Sequence, residues 1–227
     1  MPLSNQLPFD FVLYNEFNFE NFVVAENNQE LIDLLQAAQL AENFYFIWGE
    51  AGSGKSHLLQ ASCAKHPNSA YLPLQVFVEE GESILDGLEQ LDLICIDDVH
   101  LVISKSIWEE KLFALFNACQ LNATSMLVSS GLTPLELNFS LPDLKSRFSS
   151  GVTYQLHELD DIGKIAALKK RAQTAGVPLE DEVLSYIYLR SERSMSKLFS
   201  VLEQLDKLSL AQKRRITIPF VKTIMSW

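Results

Sequence analysis

Apolar positions along the chain follow two periods. Continuous apolar runs at Phe44–Trp48 and Leu91–Ile96 read as strands covered on both faces, where alternation is not needed. Ser69–Leu74, Ser125–Val128 and Val152–Leu156 are further strand candidates. Between them, spacings of three and four predict helices over Gln29–Leu40, Ser53–Lys65, Ile107–Leu121 and Leu141–Phe148. In the first of these, Leu31, Ile32, Leu34, Leu35 and Ala38 share one side. Strands alternating with helices predict an α/β fold with a parallel sheet and right-handed crossovers.

The pattern changes near Asp160. From there helical spacing runs over residues 161–175, 180–190, 194–208 and 217–225, broken by Gly176-Val177-Pro178. Pro219 stands at the start of the last stretch, where a missing N–H costs little. Residues 1–15 have no period and carry two prolines, so they read as an extended arm. The expected organisation is an arm (1–15), an α/β domain (16–159) and a small all-helical domain (160–227).

Composition narrows the function classes. Of 227 residues, 48% are hydrophobic and 21% charged, ordinary values for a water-soluble domain. A net charge of −11 repels a phosphate backbone over most of the surface, which argues against autonomous duplex binding. Cys63, Cys95 and Cys119 lie in apolar runs without metal-ligand spacing and read as buried thiols in a reducing cytosol. No apolar stretch has the length of a membrane span, and no basic segment precedes an apolar one at the N-terminus. A cytoplasmic protein with no membrane contact is the expectation.

The chemistry concentrates after the first strand. Gly49-Glu50-Ala51-Gly52-Ser53-Gly54-Lys55-Ser56 matches the phosphate-binding pattern G-x-x-x-x-G-K-S/T. Glycines let the backbone turn tightly, so successive N–H groups point at an anion beside a helix N-terminus. In such a loop Lys55 reaches the β- and γ-phosphates of a purine nucleotide, and the Ser56 hydroxyl ligates Mg²⁺. The third strand ends in Asp97-Asp98, where Asp97 can hold the metal and Asp98 can polarise an attacking water. Ser129-Ser130, ending the fourth strand, reads equally as a plain loop pair or as hydroxyls placed near the γ-phosphate. By pattern alone Arg147 is a solvated surface arginine.

Together, the P-loop, the Asp-Asp strand end, the serine-bearing fourth strand, Leu144-Lys145-Ser146-Arg147-Phe148 and the helical tail resemble the AAA+ ATPases, and within them the DnaA/Hda family. Phe17-Asn18-Phe19-Glu20-Asn21-Phe22-Val23-Val24 is similar to the segment DnaA uses near the adenine. The resemblance implies strand order 5-1-4-3-2, a helical lid, and ADP or ATP with Mg²⁺ between sheet and lid. It places Phe22, Val23, the loop residues from Gly49 to Ser56, and His57 among the nucleotide contacts. It makes Arg147 an arginine finger directed at a neighbouring subunit's nucleotide. Gln6-Leu7-Pro8-Phe9-Asp10-Phe11 is similar to the sliding-clamp peptide Q-L-x-L/F-x-L/F, with Gln6 for a polar pocket and Leu7, Phe9 and Phe11 as apolar anchors.

The departures from the family pattern are specific. Gly131 and Asp143 stand where DnaA carries aspartate and arginine, and Ser196 takes the place of the second-sensor arginine, leaving Arg193 or Lys197 as substitutes. After the helical tail the sequence has no counterpart of DnaA's DNA-reading helix-turn-helix domain. Nucleotide binding is therefore expected to outlast turnover. The resemblance implies a negative regulator of replication initiation. Such a regulator binds the clamp, meets DNA only through it, and stimulates hydrolysis of DnaA-bound ATP in trans. A helicase-loader-like ATPase that spends its own ATP, and a domain that binds nucleotide only for stability, are the alternatives. Self-association is compatible with either active role.

Overall fold

The computed structural model describes residues 17–37, 40–177 and 179–227. Five parallel strands, β1 (Phe44–Trp48), β2 (Ser69–Pro73), β3 (Leu93–Asp97), β4 (Ser125–Ser130) and β5 (Val152–Gln155), form one sheet in the order β2-β3-β4-β1-β5. This is the expected order read from the other edge. Phe46 pairs with Val128 on one side of β1 and with Thr153 on the other, so β1 is central.

Alternation distributes the strand side chains to two cores. Phe44, Phe46, Ile94, Ile96, Met126 and Val128 share a cluster on one face, whereas Tyr45, Ile47, Leu93, Cys95 and Leu127 share the cluster on the other. Continuous apolar runs are the consequence, because every position along β1 and β3 meets a covered face. The second face receives Leu31, Ile32 and Leu35 of α1 (Gln29–Leu35) and Leu58, Leu59 and Cys63 of α2 (Lys55–Lys65). The first receives α3 (Leu74–Phe77), α4 (Ser106–Asn122) and α5 (Pro142–Ser150) through Leu74, Leu112, Phe116 and Phe148.

Four further helices complete the chain: α6 (Asp161–Thr174), α7 (Asp181–Arg190), α8 (Met195–Gln212) and α9 (Ile218–Met225). They enclose their own apolar cluster, including Leu168, Leu184, Ile187, Leu198, Leu202, Leu205 and Phe220. Side chains cap the amino ends of three of them. Asp160 accepts the Gly163 N–H at 2.7 Å, and the Ser194 and Thr217 hydroxyls accept from Lys197 and Phe220, each at 3.4 Å. These helices form the lid.

The stretch between β2 and α4 departs from the sequence reading. Besides the expected β3 it holds α3 and short 3₁₀ turns at Glu82–Leu85, Leu88–Gln90 and Val99–Val102, none of which the spacing predicts. Gly81 and Gly87 take positive φ (112° and 84°) and reset the chain before any periodic stripe can develop. Leu85 nevertheless reaches the core.

Candidate nucleotide site

Parallel strands put all five carboxyl ends on one edge, where open α/β sheets bind ligands. Gly49 leaves β1 there, its N–H donating to Ser130 O at 3.2 Å. The loop then turns through Gly52 (φ 86°) and Gly54 (φ 106°) into α2. Side chains are excluded from it for different reasons. A Cβ on Gly49 would lie 2.4 Å from Leu156 O, whereas Gly52 is held to glycine by its positive φ, with Met195 at the start of α8 within van der Waals range of it. The loop is therefore held between the sheet and the lid.

Lys55 is buried and folded back on its own loop, donating to Gly49 O at 2.8 Å and Glu50 O at 2.9 Å. Burial lowers its pKa, and Asp98, Asp97 and Glu50 partly oppose that shift. An ammonium so placed gains from a polyanion that replaces lost water. The loop also contains the buried Ser53 Oγ, which has no hydrogen-bond partner among the described residues. Both features fit a bound phosphate chain.

The acidic strand end is built by β3 and β4 together. Asp97 is 3% exposed and accepts from the Tyr71 hydroxyl at 2.7 Å and from Ser129 Oγ. Ser129 Oγ in turn accepts the Asp98 N–H at 2.9 Å. Tyr71 also interacts with the side chains of Ser56 and Gln60, so one phenol ties the two expected Mg²⁺ ligands, Ser56 and Asp97, into one network. Burial and the Asp97 carboxylate push the Tyr71 pKa well up, so it stays a hydrogen donor. Among the described residues no cluster of three metal-ligating side chains exists. A Mg²⁺ here would rest on Asp97 and Ser56 and take its remaining oxygens from phosphate and water, the usual habit of that ion.

Asp98 adopts a left-handed backbone (φ 59°, ψ 48°), uncommon for a non-glycine residue. Its pKa is raised by burial and then by Asp97, against the opposing pull of His100 and Lys55. Ser130 Oγ accepts the Leu132 N–H at 2.9 Å and so holds the turn after β4.

The base side of the cleft is aromatic. Phe17 stacks on His57 of α2 with ring centroids 4.7 Å apart, and Phe22 meets the same imidazole edge-on at 5.1 Å. His57 Nε2 lies 2.9 Å from Asn18 O. Burial lowers its pKa, and the nearby cations Arg171 and Lys170 lower it further. Phe17, Phe22, Val23, Gly52, His57, Leu159, Arg171 and Met195 line one cleft between loop and lid. Arg171 of α6 lies 5.6 Å over Phe17, joining the lid to the segment before α1. Asn28 bonds both ways to His157 at 2.8 and 2.9 Å, pinning that segment to the chain that follows β5.

The remaining predicted residues lie elsewhere. Arg147 is exposed on α5, its guanidinium 5.9 Å over Phe116, which packs on Phe44 at the amino end of β1. At about 3.3 Å per residue, β1 separates that end from the loop by roughly 13 Å. Arg193 is paired with Asp161 at 3.6 Å and stacked on Tyr188, inside the lid. Lys197 is exposed in the first turn of α8. Gln6, Leu7, Phe9 and Phe11 lie outside the described residues.

Tyr71, Asn28, Arg171 and Met195 escaped the sequence reading. Tyr71 gave a faint signal as a hydroxyl in the strand beside β3. The others gave none, because their partners stand far away in the chain.

Comparison with known proteins accords with this geometry. The bacterial DnaA ATPase domain matches residues 13–155, and the Hda lid domain matches residues 161–225. An uncharacterized protein of Haemophilus influenzae is 38% identical over 231 residues, covering 99% of this chain and 100% of its own. Domain III of Thermotoga maritima DnaA superposes with TM-score 0.80 at 22% identity, covering 93% of this chain and 96% of that one. AMPPCP-bound DnaA from Aquifex aeolicus gives 0.67 at 24% identity, covering 88% of this chain and 67% of that one. The Thermotoga maritima RuvB branch-migration motor gives 0.68 at 22%, covering 92% and 71%.

Proposed function

Because this chain belongs to the DnaA/Hda family of AAA+ ATPases, we propose that it is a replication-initiation regulator that promotes hydrolysis of ATP bound to DnaA. In this reading the chain holds its own nucleotide, ADP, in the cleft between loop and lid. Residues 6–11 attach it to the sliding clamp on DNA in the cytoplasm. Arg147 then enters the nucleotide site of a DnaA molecule.

The observation that carries the reading is the place of Arg147. It is exposed at the amino end of β1, a strand's length from its own P-loop. A guanidinium there cannot serve the nucleotide of its own chain but is free to serve a neighbour's. Its positive charge would stabilise the transferring phosphoryl group, an effect worth ~10³–10⁵ in rate when supplied in trans. Within the chain's own site, Lys55 and the loop N–H groups bind phosphate, and Asp97 and Ser56 hold Mg²⁺, which neutralises phosphate charge when bound. Phe22, Val23 and His57 face the base.

The test is hydrolysis of ATP preloaded on DnaA, measured with clamp and DNA. The wild-type chain should accelerate it and Arg147→Ala should not. Equal acceleration by both would remove the finger role. A second reading, a helicase-loader-like ATPase, is favoured by Asp98 beside Asp97 and Lys55. It requires ATP turnover by the isolated chain that Asp98→Asn abolishes.

A further inference from the structure

His100 stands in the 3₁₀ turn Val99–Val102, directly after the strand end that carries Asp97 and Asp98. Its side chain is 28% exposed. The Gly131 N–H donates to His100 Nδ1 at 3.2 Å. A nitrogen that accepts carries no proton, so in the neutral ring the proton is on Nε2. Asp98 Oδ1 stands 4.0 Å from Nδ1, beyond hydrogen-bonding distance, and does not compete for it. Among the described residues no group bonds Nε2. The imidazole is thus oriented by a backbone donor and keeps one N–H for something else.

The surroundings indicate what that is. Gly131 follows Ser130, whose carbonyl accepts from Gly49, the first residue of the phosphate loop. Asp98 lies close enough to both His100 and Lys55 to interact with each. The ring therefore lies where β1, β3 and β4 end together, at the phosphate edge of the sheet. A Cβ on Gly131 would come within 3.6 Å of His100 Cε1 and 3.7 Å of Nε2.

We propose that His100 is a nucleotide-reading residue, donating Nε2–H to the terminal phosphate of a bound nucleoside triphosphate. This rests on the phosphate-site reading above and adds to it a basis for telling triphosphate from diphosphate. A diphosphate ends one phosphate short and leaves Nε2–H to water. The imidazole N–H would do here the work that a charged or carboxamide side chain does at other phosphate sites.

The experiment titrates Mg²⁺ with ADP, and Mg²⁺ with a non-hydrolysable ATP analogue, into the wild type, His100→Ala, His100→Gln and Lys55→Ala. His100→Ala should weaken the ATP analogue about tenfold, the scale of one hydrogen bond to a charged group, and leave ADP unchanged. His100→Gln, which keeps an N–H donor, should recover part of that loss. In the wild type the ¹⁵Nε2 resonance of His100 should move with the ATP analogue and stay put with ADP. Equal weakening of both nucleotides by His100→Ala, no weakening of either, or an equal resonance shift with both would overturn the assignment. Lys55→Ala separates the two levels. If it binds both nucleotides as the wild type does, the phosphate site itself is wrong; if it loses both, any failure at His100 belongs to His100 alone.

Discussion

A Cβ added to Gly54 would stand 2.8 Å from Cε2 of Phe22, so the aromatic segment before α1 packs directly on the last glycine of the phosphate loop. Gly54 also has φ 106°, a conformation that L side chains rarely adopt. Gly54→Ala should therefore cost about 1–3 kcal/mol of stability and displace Phe22. Thermal melting and nucleotide titration together check this. A variant with wild-type melting and wild-type affinity would show that the loop is not held as described.

Asp98 predicts a pH dependence. Its folded pKa is raised by burial and by Asp97, so ionisation costs stability in the nucleotide-free protein. The folded state binds the proton more tightly than the unfolded one, so this cost is absent below the ordinary value of 3.8 and grows as pH rises through the folded pKa. Asp98→Asn should melt higher than the wild type at neutral pH without nucleotide. The advantage should shrink on acidification towards pH 3.8. An advantage independent of pH would point to packing instead.

Arg147 predicts a separation of functions. It is exposed, and its guanidinium lies over the Phe116 ring. Arg147→Ala should change stability by no more than about 0.5 kcal/mol and leave the chain's own nucleotide affinity untouched. Circular-dichroism melting and titration with labelled ADP measure both. Loss of its own nucleotide would place Arg147 in the wrong site.

Phe148, next to that arginine, behaves oppositely. It is fully buried and packs on Phe44, Phe46, Phe116 and Phe139. Phe148→Ala should cost about 3–5 kcal/mol, read as a lowered denaturant midpoint. Adjacent residues of one helix thus face solvent and core respectively.

Residues 6–11 make a prediction independent of the fold. Gln6→Ala with Phe11→Ala should abolish co-purification with the clamp while leaving nucleotide binding and melting temperature as in the wild type. Retention on the clamp would show that attachment lies outside residues 6–11.

The strands were legible because a parallel sheet covered on both faces needs unbroken apolar runs. Phe44–Trp48 was located to the residue for that reason. The phosphate loop was legible because glycine, lysine and serine do their work within eight successive positions. The lid helices followed from their spacing, and in the structure Asp160, Ser194 and Thr217 cap three of them locally. Between β2 and α4 the reading faltered, because 3₁₀ turns of three or four residues are too short to show a period.

Local chemistry is written in contiguous residues, so the phosphate loop, the acidic strand end and the family could be read from the chain alone. Which groups surround them could not. Tyr71 reaches Asp97 across 26 positions, His100 meets Gly131 across 31, and Asn28 grips His157 across 129. Arg147, five residues before β5, lies at the opposite end of β1 from the phosphate loop because α5 runs back along the sheet before β5 begins. Such pairings follow from strand order and helix direction, which arise only when distant apolar faces are buried together.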